Sequence, residues 1–297
     1  MTAGTASPVH PIDRIGVVGS GVMGSGVAEV CAAAGLDVLV AVRTPGAVDA
    51  GRRRVEASVE QGVRTARLTE AQQKSTMDLI GFTTDLADLA DRDLVVEAIA
   101  ESEPAKTGVF AALDRIVHRP GAILASTTSA IPIARLADAT ARPERVIGLH
   151  FFNPVPALPL VEVIGSALTS PASLATAESF VTDILGKQAI RVPDRAGFVV
   201  NALLIPFLLG AVRMVEAGVA SPADIDKAMM LGCAHPVGPL RLVDLIGLDV
   251  VASVAQALYA EYNEPHYAAP PLLLRMVGEG RLGRKTGAGF HPYGDRR

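Results

Sequence analysis

His150 stands in the apolar run Leu149-His150-Phe151-Phe152, and Glu162 in the apolar run Val161-Glu162-Val163. An ionised carboxylate inside an apolar strand is costly unless something pairs with it. A lone histidine among apolar neighbours is more often a satisfied core residue than a working one. The two placements explain each other if the carboxylate holds the imidazole. Such a partner orients the ring and raises its basicity, as a general base for an alcohol proton requires. A purely structural pair is the alternative.

A second chemical signal lies near the start. Gly19-Ser20-Gly21-Val22-Met23-Gly24 follows the short β-branched run Arg14–Val18 and opens the alanine-rich helical run Val22–Ala34, which Gly35 ends. Glycines in a turn between a strand and a helix let backbone N–H groups approach a pyrophosphate at the helix N-terminus. Gly19, Gly21, Val22, Met23 and Gly24 are therefore candidate dinucleotide contacts, the alternative being a merely flexible loop. The next strand, Val38–Val42, ends without the acid that normally bonds a ribose 2′-OH about 20 residues after the glycines. Arg43 and Thr44 stand there instead. A guanidinium and a hydroxyl suit a 2′-phosphate, so NADP(H) is favoured. NAD(H) remains possible if Arg43 is a solvated strand-end residue or a stacking platform for the adenine. The hydroxyl run Ser126-Thr127-Thr128-Ser129 follows another strand; it either bonds substrate or cofactor, or caps the helix that begins near Pro132.

These residues need elements to hold them. Apolar runs at Leu94–Ile99, Ala122–Ala125, Val146–Phe152 and Val161–Ile164 alternate with helical patterns. That alternation predicts an α/β domain with a mostly parallel sheet. From Val48 to about Leu79 there is no strand signal, only a polar, Arg- and Gln-rich pattern, read as a helical hairpin inserted in a sheet crossover and projecting from it. Pro193–Gly197 reads as a linker, and the pattern from Phe198 onward is helical. The expected division is a loose tail at 1–11, a Rossmann-like dinucleotide-binding domain at 12–195 and an all-α domain at 196–297.

Composition narrows the function classes. A formal net charge of −4 gives no long-range pull toward nucleic acid or an anionic membrane. With 4% aromatic residues and no Trp, the core must be aliphatic. Cys31 and Cys233 lie far apart, and no ligand cluster suggests a metal. The first eleven residues lack a basic start and an apolar core, so they do not read as a signal peptide, and a reducing cytoplasm is expected. Ala196–Val212 is too short and too interrupted for a spanning helix and reads as buried or interfacial.

The motifs together are similar to those of the 3-hydroxyacyl-CoA dehydrogenase family, in particular its short-chain bacterial members. The matching segments run from Arg14 to Tyr293: GSGVMGSG, LVVEAIAE, ASTTS, GLHFFNPVPALPLVEV, GFVVNALLIP, the Pro236–Pro239 turn with Gly247-Leu248-Asp249, and GRKTGAGF. The resemblance implies a helical C-terminal domain that forms a homodimer, and a cleft between the domains. It implies His150 as catalytic base, Glu162 as its partner, and Ser129 and Asn201 as polar groups around the reacting oxygens. Glu101, Lys106, Ser129, Asn153 and Lys285 match cofactor-contacting positions, and the hairpin matches the arm near the CoA end of the substrate. Thr127 stands where the family usually has Asn, Ala130 replaces a common Ser, Ala196 a Pro, and Val42-Arg43 the acidic strand end.

The activity so implied is reversible oxidation of a 3-hydroxyacyl-CoA thioester to the 3-ketoacyl thioester. An acyl-carrier-protein thioester is an alternative substrate. A 3-hydroxyisobutyrate or 6-phosphogluconate type of enzyme shares the opening fingerprint but relies on a lysine, against which the His150–Glu162 pair argues. A non-catalytic dinucleotide-binding protein is the alternative of another class.

Overall fold

A computed structural model describes residues 12–294, so the tail expected at 1–11 lies outside the described residues. The chain divides between Asp194 and Arg195 into two compact units.

The first unit is built on eight strands: β1 (Arg14–Val18), β2 (Asp37–Ala41), β3 (Ile80–Thr83), β4 (Leu94–Glu97), β5 (Ile123–Ser126), β6 (Val146–Phe151), β7 (Leu160–Gly165) and β8 (Gln188–Pro193). Their spatial order is β3-β2-β1-β4-β5-β6-β7-β8. Every pairing is parallel except β6 with β7. Sequence order reverses direction on either side of β1, and the segments that follow β1, β2, β4, β5 and β6 all emerge at one carboxyl edge. Ligands bind at such an edge in doubly wound sheets. The unit's core is aliphatic, with Ile15, Val17, Val27, Val38, Val96, Ile147, Leu149 and Val163 buried.

Helices α1 (Val22–Ala33), α2 (Pro45–Arg64), α3 (Glu70–Asp78), α4 (Glu103–Ile116), α5 (Ile133–Ala137) and α6 (Pro171–Ser179) complete this unit. The inserted hairpin is α2 and α3, but it does not stand clear of the sheet layer. Val55 and Val59 are buried in the core of the unit, and Arg67, in the turn between the two helices, pairs with the buried Glu29 of α1 at 2.7 Å. Two strands escape the sequence pattern. β3 has only four residues and includes Gly81. β8 is an edge strand whose buried positions are sparse, with Gln188 and Arg191 exposed. Neither shows a clean apolar signal.

Just before β8, burial pushes the Lys187 ammonium below its ordinary value; Arg67 acts in the same direction, while Cys31 and Glu29 oppose it. Its Nζ donates to the carbonyls of Val155 and Leu158 at 2.8 and 2.7 Å and so holds the loop after β6.

The second unit contains α7 (Val200–Glu216), α8 (Pro222–Gly232), α9 (Pro239–Ile246), α10 (Leu248–Tyr262) and α11 (Pro271–Gly278). Its core includes Ile205, Leu208, Leu209 and Val212 of α7, packed with Leu240, Val243, Leu248, Val251 and Leu273. The same helix leaves Leu203, Phe207 and Met214 exposed. Among the described residues no single helix is long and apolar enough to cross a membrane. The GRKTGAGF segment folds back onto Asp244, whose carboxylate accepts from the N–H groups of Phe290 and His291 at 2.8 and 2.9 Å. A Cβ on Gly289 would stand 1.9 Å from that carboxylate, which is why glycine is needed there.

Candidate active site

His150 and Glu162 are direct cross-strand partners in the antiparallel β6–β7 pair. Twelve residues apart in sequence, they meet because β6 ends and β7 begins on either side of a short connection. His150 Nδ1 lies 2.6 Å from Glu162 Oε2, and both side chains are buried. A carboxylate accepts from Nδ1–H, and in the neutral ring that tautomer puts the lone pair on Nε2. Phe152 packs edge-on against the imidazole, with ring centroids 4.7 Å apart. Ser129 Oγ stands 3.1 Å from Nε2. The alignment Glu162–His150–Ser129 thus runs from a buried carboxylate through an oriented base to a hydroxyl.

The loop that carries Ser129 bears on the capping alternative for the hydroxyl run. Thr128 N–H donates to Ser126 Oγ at 3.2 Å, Ser129 N–H to Glu101 Oε1 at 3.0 Å, and the N–H groups of Ala130 and Ile131 to Thr128 Oγ at 3.2 and 2.8 Å. The hydroxyls of Ser126 and Thr128 therefore shape the loop, while that of Ser129 reaches the histidine. None of them caps α5. Asp194 does so from the far end of the unit, accepting from Ile133 and Ala134 N–H at 2.8 Å each. Sequence reading placed Asp194 in a featureless linker.

The glycine turn fits a dinucleotide. Gly19 has φ +103°, and a Cβ there would meet the Ala98 carbonyl at 2.8 Å; a Cβ on Gly24 would lie 2.0 Å from the Gly19 carbonyl. Gly21 is the N-cap of α1 and makes no side-chain cap, so the first N–H groups of the helix are left for another acceptor. Among the described residues, nothing beyond its chain neighbours lies within 4 Å of a Cβ built on Gly21. Gly21→Ala is therefore expected to leave thermal stability unchanged and to raise the dinucleotide dissociation constant several-fold, measured by fluorescence titration. Equal affinity would remove this turn from the binding site. Val22 is exposed at the mouth of the turn and Met23 half-buried behind it.

Arg43 is exposed just past β2, beside the buried Val42, which offers no acceptor for a ribose hydroxyl. Thr44 has a second duty: its hydroxyl oxygen caps α2, accepting from Ala47 N–H at 3.3 Å. Only its O–H remains to donate. Arg54 of α2 donates to the Ser20 carbonyl and ties the hairpin to the glycine turn. The sequence reading missed that contact, because in the polar, Arg-rich pattern of this segment nothing sets Arg54 apart from its neighbours.

Of the remaining expected contacts, Glu101 and Asn153 are exposed at the carboxyl edge, after β4 and β6. Lys106, also matched to a cofactor contact, lies on α4. It is 1% exposed, and its Nζ is bound by Glu97 at 2.7 and 2.9 Å. Asn201 and Lys285 belong to the second unit. Asn201 lies in the first turn of α7, and Lys285 Nζ pairs with Asp249 at 2.6 and 2.7 Å. Lys285 also lines a cavity of about 810 Å³ within that unit, together with Arg241, Arg284 and Tyr293. Burial pushes the Tyr293 phenol up to about 12, with Asp244 adding to the shift. No group of three or more potential metal ligands occurs among the described residues.

Comparison with known proteins gives the family. Residues 14–195 match the NAD binding domain of 3-hydroxyacyl-CoA dehydrogenase, and residues 197–293 match its C-terminal domain. A Mycobacterium tuberculosis 3-hydroxybutyryl-CoA dehydrogenase is 54% identical over 282 residues, covering 95% of this chain and 99% of that protein. The crystal structure of M. tuberculosis FadB2 superposes with a TM-score of 0.95 at 53% identity, covering 96% of this chain and 100% of that one. The (S)-3-hydroxybutyryl-CoA dehydrogenase PaaH1 from Ralstonia eutropha superposes with a TM-score of 0.89 at 41% identity, covering 96% of this chain and 100% of that one.

Proposed function

The chain belongs to the 3-hydroxyacyl-CoA dehydrogenase family, and on that premise we propose that it interconverts 3-hydroxybutyryl-CoA and acetoacetyl-CoA with a nicotinamide dinucleotide, NADP(H) in preference to NAD(H). The observation that carries the reading is the 2.6 Å contact between His150 Nδ1 and Glu162, which leaves Nε2 as a base beside the Ser129 hydroxyl.

When bound, the nicotinamide supplies the hydride acceptor for C3 of the hydroxyacyl group, or the donor in reverse. The protein moves the proton. His150 Nε2 takes it from the C3 hydroxyl, and Glu162 stabilises the imidazolium that results, so that the charge is never stranded in an apolar strand pair. Ser129 marks where the substrate oxygen sits, and its hydroxyl donates to that oxygen as the proton leaves. In the reductive direction the imidazolium returns the proton to the forming alkoxide. On the family match, Asn201 is taken to hold the substrate and Lys285, Asn153 and Glu101 the cofactor.

The CoA handle is tested by comparing kcat/KM for 3-hydroxybutyryl-CoA, the same acyl group on acyl carrier protein, and free 3-hydroxybutyrate. The CoA thioester is expected to be best. Preference for the carrier-protein thioester would move the enzyme to a biosynthetic substrate, and turnover of the free acid alone would remove thioesters altogether.

The same reading makes the protein a homodimer through its helical unit. Leu203, Phe207 and Met214 are spaced to share one face of α7, and all three are exposed. Apolar groups gathered on one surface mark a partner. Sedimentation at micromolar concentration is expected to show a dimer; a monomer there, with full activity, would contradict it.

A further inference from the structure

We propose that Glu97, through Lys106 and Glu101, is a positioning residue that sets Ser129 against His150. The inference rests on the reading of His150 and Ser129 above. Glu97 ends β4 and is fully buried, and Lys106 is on α4 and almost fully buried. A buried ion pair is poor value for stability, since both partners lose their hydration and an apolar pair of similar size does as well or better. This ammonium also sits in the first turns of α4, the end of a helix that disfavours a cation. Stability alone gives little reason for the pair.

Its connections give one. Glu97 Oε1 accepts from Ile99 N–H at 2.7 Å and Oε2 from Ser126 Oγ at 2.7 Å, in addition to both bonds from Lys106. Ser126 Oγ in turn accepts from Thr128 N–H. On the other branch, Lys106 Nζ lies 3.4 Å from Glu101 Oε2, whose Oε1 takes Ser129 N–H and the Thr128 hydroxyl. Both arms of the network converge on residues 128 and 129. Two carboxylates share one ammonium, and the division is what fixes Glu101. With Glu97 holding Lys106 closely, Glu101 Oε1 is left to grip the backbone of Ser129.

The balance predicts a distinctive failure. In Glu97→Gln the amide still accepts from Ile99 or Ser126, but Lys106 keeps only one carboxylate and draws Glu101 toward itself. Ser129 then loses its backbone anchor and drifts from His150 Nε2. Misplacement by about 1 Å of a positioned group can cost up to about a hundredfold in rate, and a fall in kcat of about tenfold is expected here, with substrate KM little changed.

The test is a double-mutant cycle on kcat with 3-hydroxybutyryl-CoA, using wild type, Glu97→Gln, Ser129→Ala and the double variant, with dinucleotide affinity measured alongside. If Glu97 acts through Ser129, Glu97→Gln lowers kcat in the wild-type background and costs nothing further in Ser129→Ala. Multiplicative losses would overturn the proposal, as would an unchanged kcat in Glu97→Gln. A kcat loss that tracks weakened dinucleotide binding would place Glu97 with the cofactor and overturn it too. Should Glu97→Gln fail to fold, Glu97→Asp, which keeps the charge but draws the carboxylate back from Lys106 and Ser126, enters the same cycle: a kcat loss that vanishes in Ser129→Ala supports the proposal, and no loss or a multiplicative one overturns it. If Ser129→Ala itself has no effect on kcat, the site reading fails, and the two failures are told apart.

Discussion

His150→Gln is expected to yield a folded protein with kcat reduced by about 10²–10⁴-fold, the usual worth of a positioned general acid–base group. The choice of glutamine matters. Glu162 is fully buried 2.6 Å from the imidazole, and His150→Ala would take that donor away from a carboxylate with no access to water. The glutamine amide can still donate to Glu162, so the fold is kept while the lone pair of Nε2 is lost. In that variant Ser129 Oγ no longer has the ring nitrogen that lies 3.1 Å from it. Circular dichroism and thermal melting establish the fold, and steady-state rates with saturating 3-hydroxybutyryl-CoA give kcat. Near-normal turnover in a folded His150→Gln would remove the histidine from the chemistry, and with it the reason for the buried carboxylate.

The second large effect concerns the cofactor. The wild-type enzyme is expected to prefer NADPH over NADH in kcat/KM by about tenfold to a hundredfold, from one charge-assisted hydrogen bond worth about 1.5–3 kcal/mol. Val42 occupies the place of the ribose-binding acid and is buried, so no carboxylate there accepts from a 2′-OH or repels a 2′-phosphate. Arg43 is exposed at the same corner, and Thr44, although its oxygen caps α2, retains a hydroxyl hydrogen to donate. Arg43→Ala is expected to abolish the preference by lowering kcat/KM for NADPH alone. Equal losses with both nucleotides would make Arg43 a stacking platform for the adenine. Outright preference for NADH in the wild type would end the phosphate reading.

Much of the site could be read before the fold was known, and the reasons are local. The strand, glycine turn and helix at Arg14–Ala33 are consecutive, so their pattern survives without tertiary information. The His150–Glu162 pair was legible because each residue violates its surroundings, and a hairpin-like reversal brings two such violations face to face. The Ser129 loop was half legible. Its hydroxyls were visible, but their division of labour depends on Glu101 and Glu97, which reach it across neighbouring parallel strands. Parallel neighbours are far apart in sequence, and spacing says nothing about their pairing. Lys106 illustrates the same limit: the resemblance matched it to a cofactor contact, and its bond to Glu97 becomes visible only once β4 is placed beside α4. Asp194 was hidden for a similar reason, lying some 60 residues from the helix it caps. The hairpin was recognised as helical, but its packing on α1 was not, because Val55 and Val59 are sparse apolar points on a polar pattern.

The most direct test of the central claim follows the hydrogen at C3. The wild-type enzyme is incubated with 3-hydroxybutyryl-CoA deuterated at C3 and the oxidised nucleotide, and the reduced nucleotide is recovered for mass analysis. Deuterium carried at C4 of the nicotinamide, with acetoacetyl-CoA as the co-product and no transfer in His150→Gln on the same timescale, is the result predicted. Deuterium retained in the acyl product or released to water, with no reduced nucleotide formed, would contradict the account.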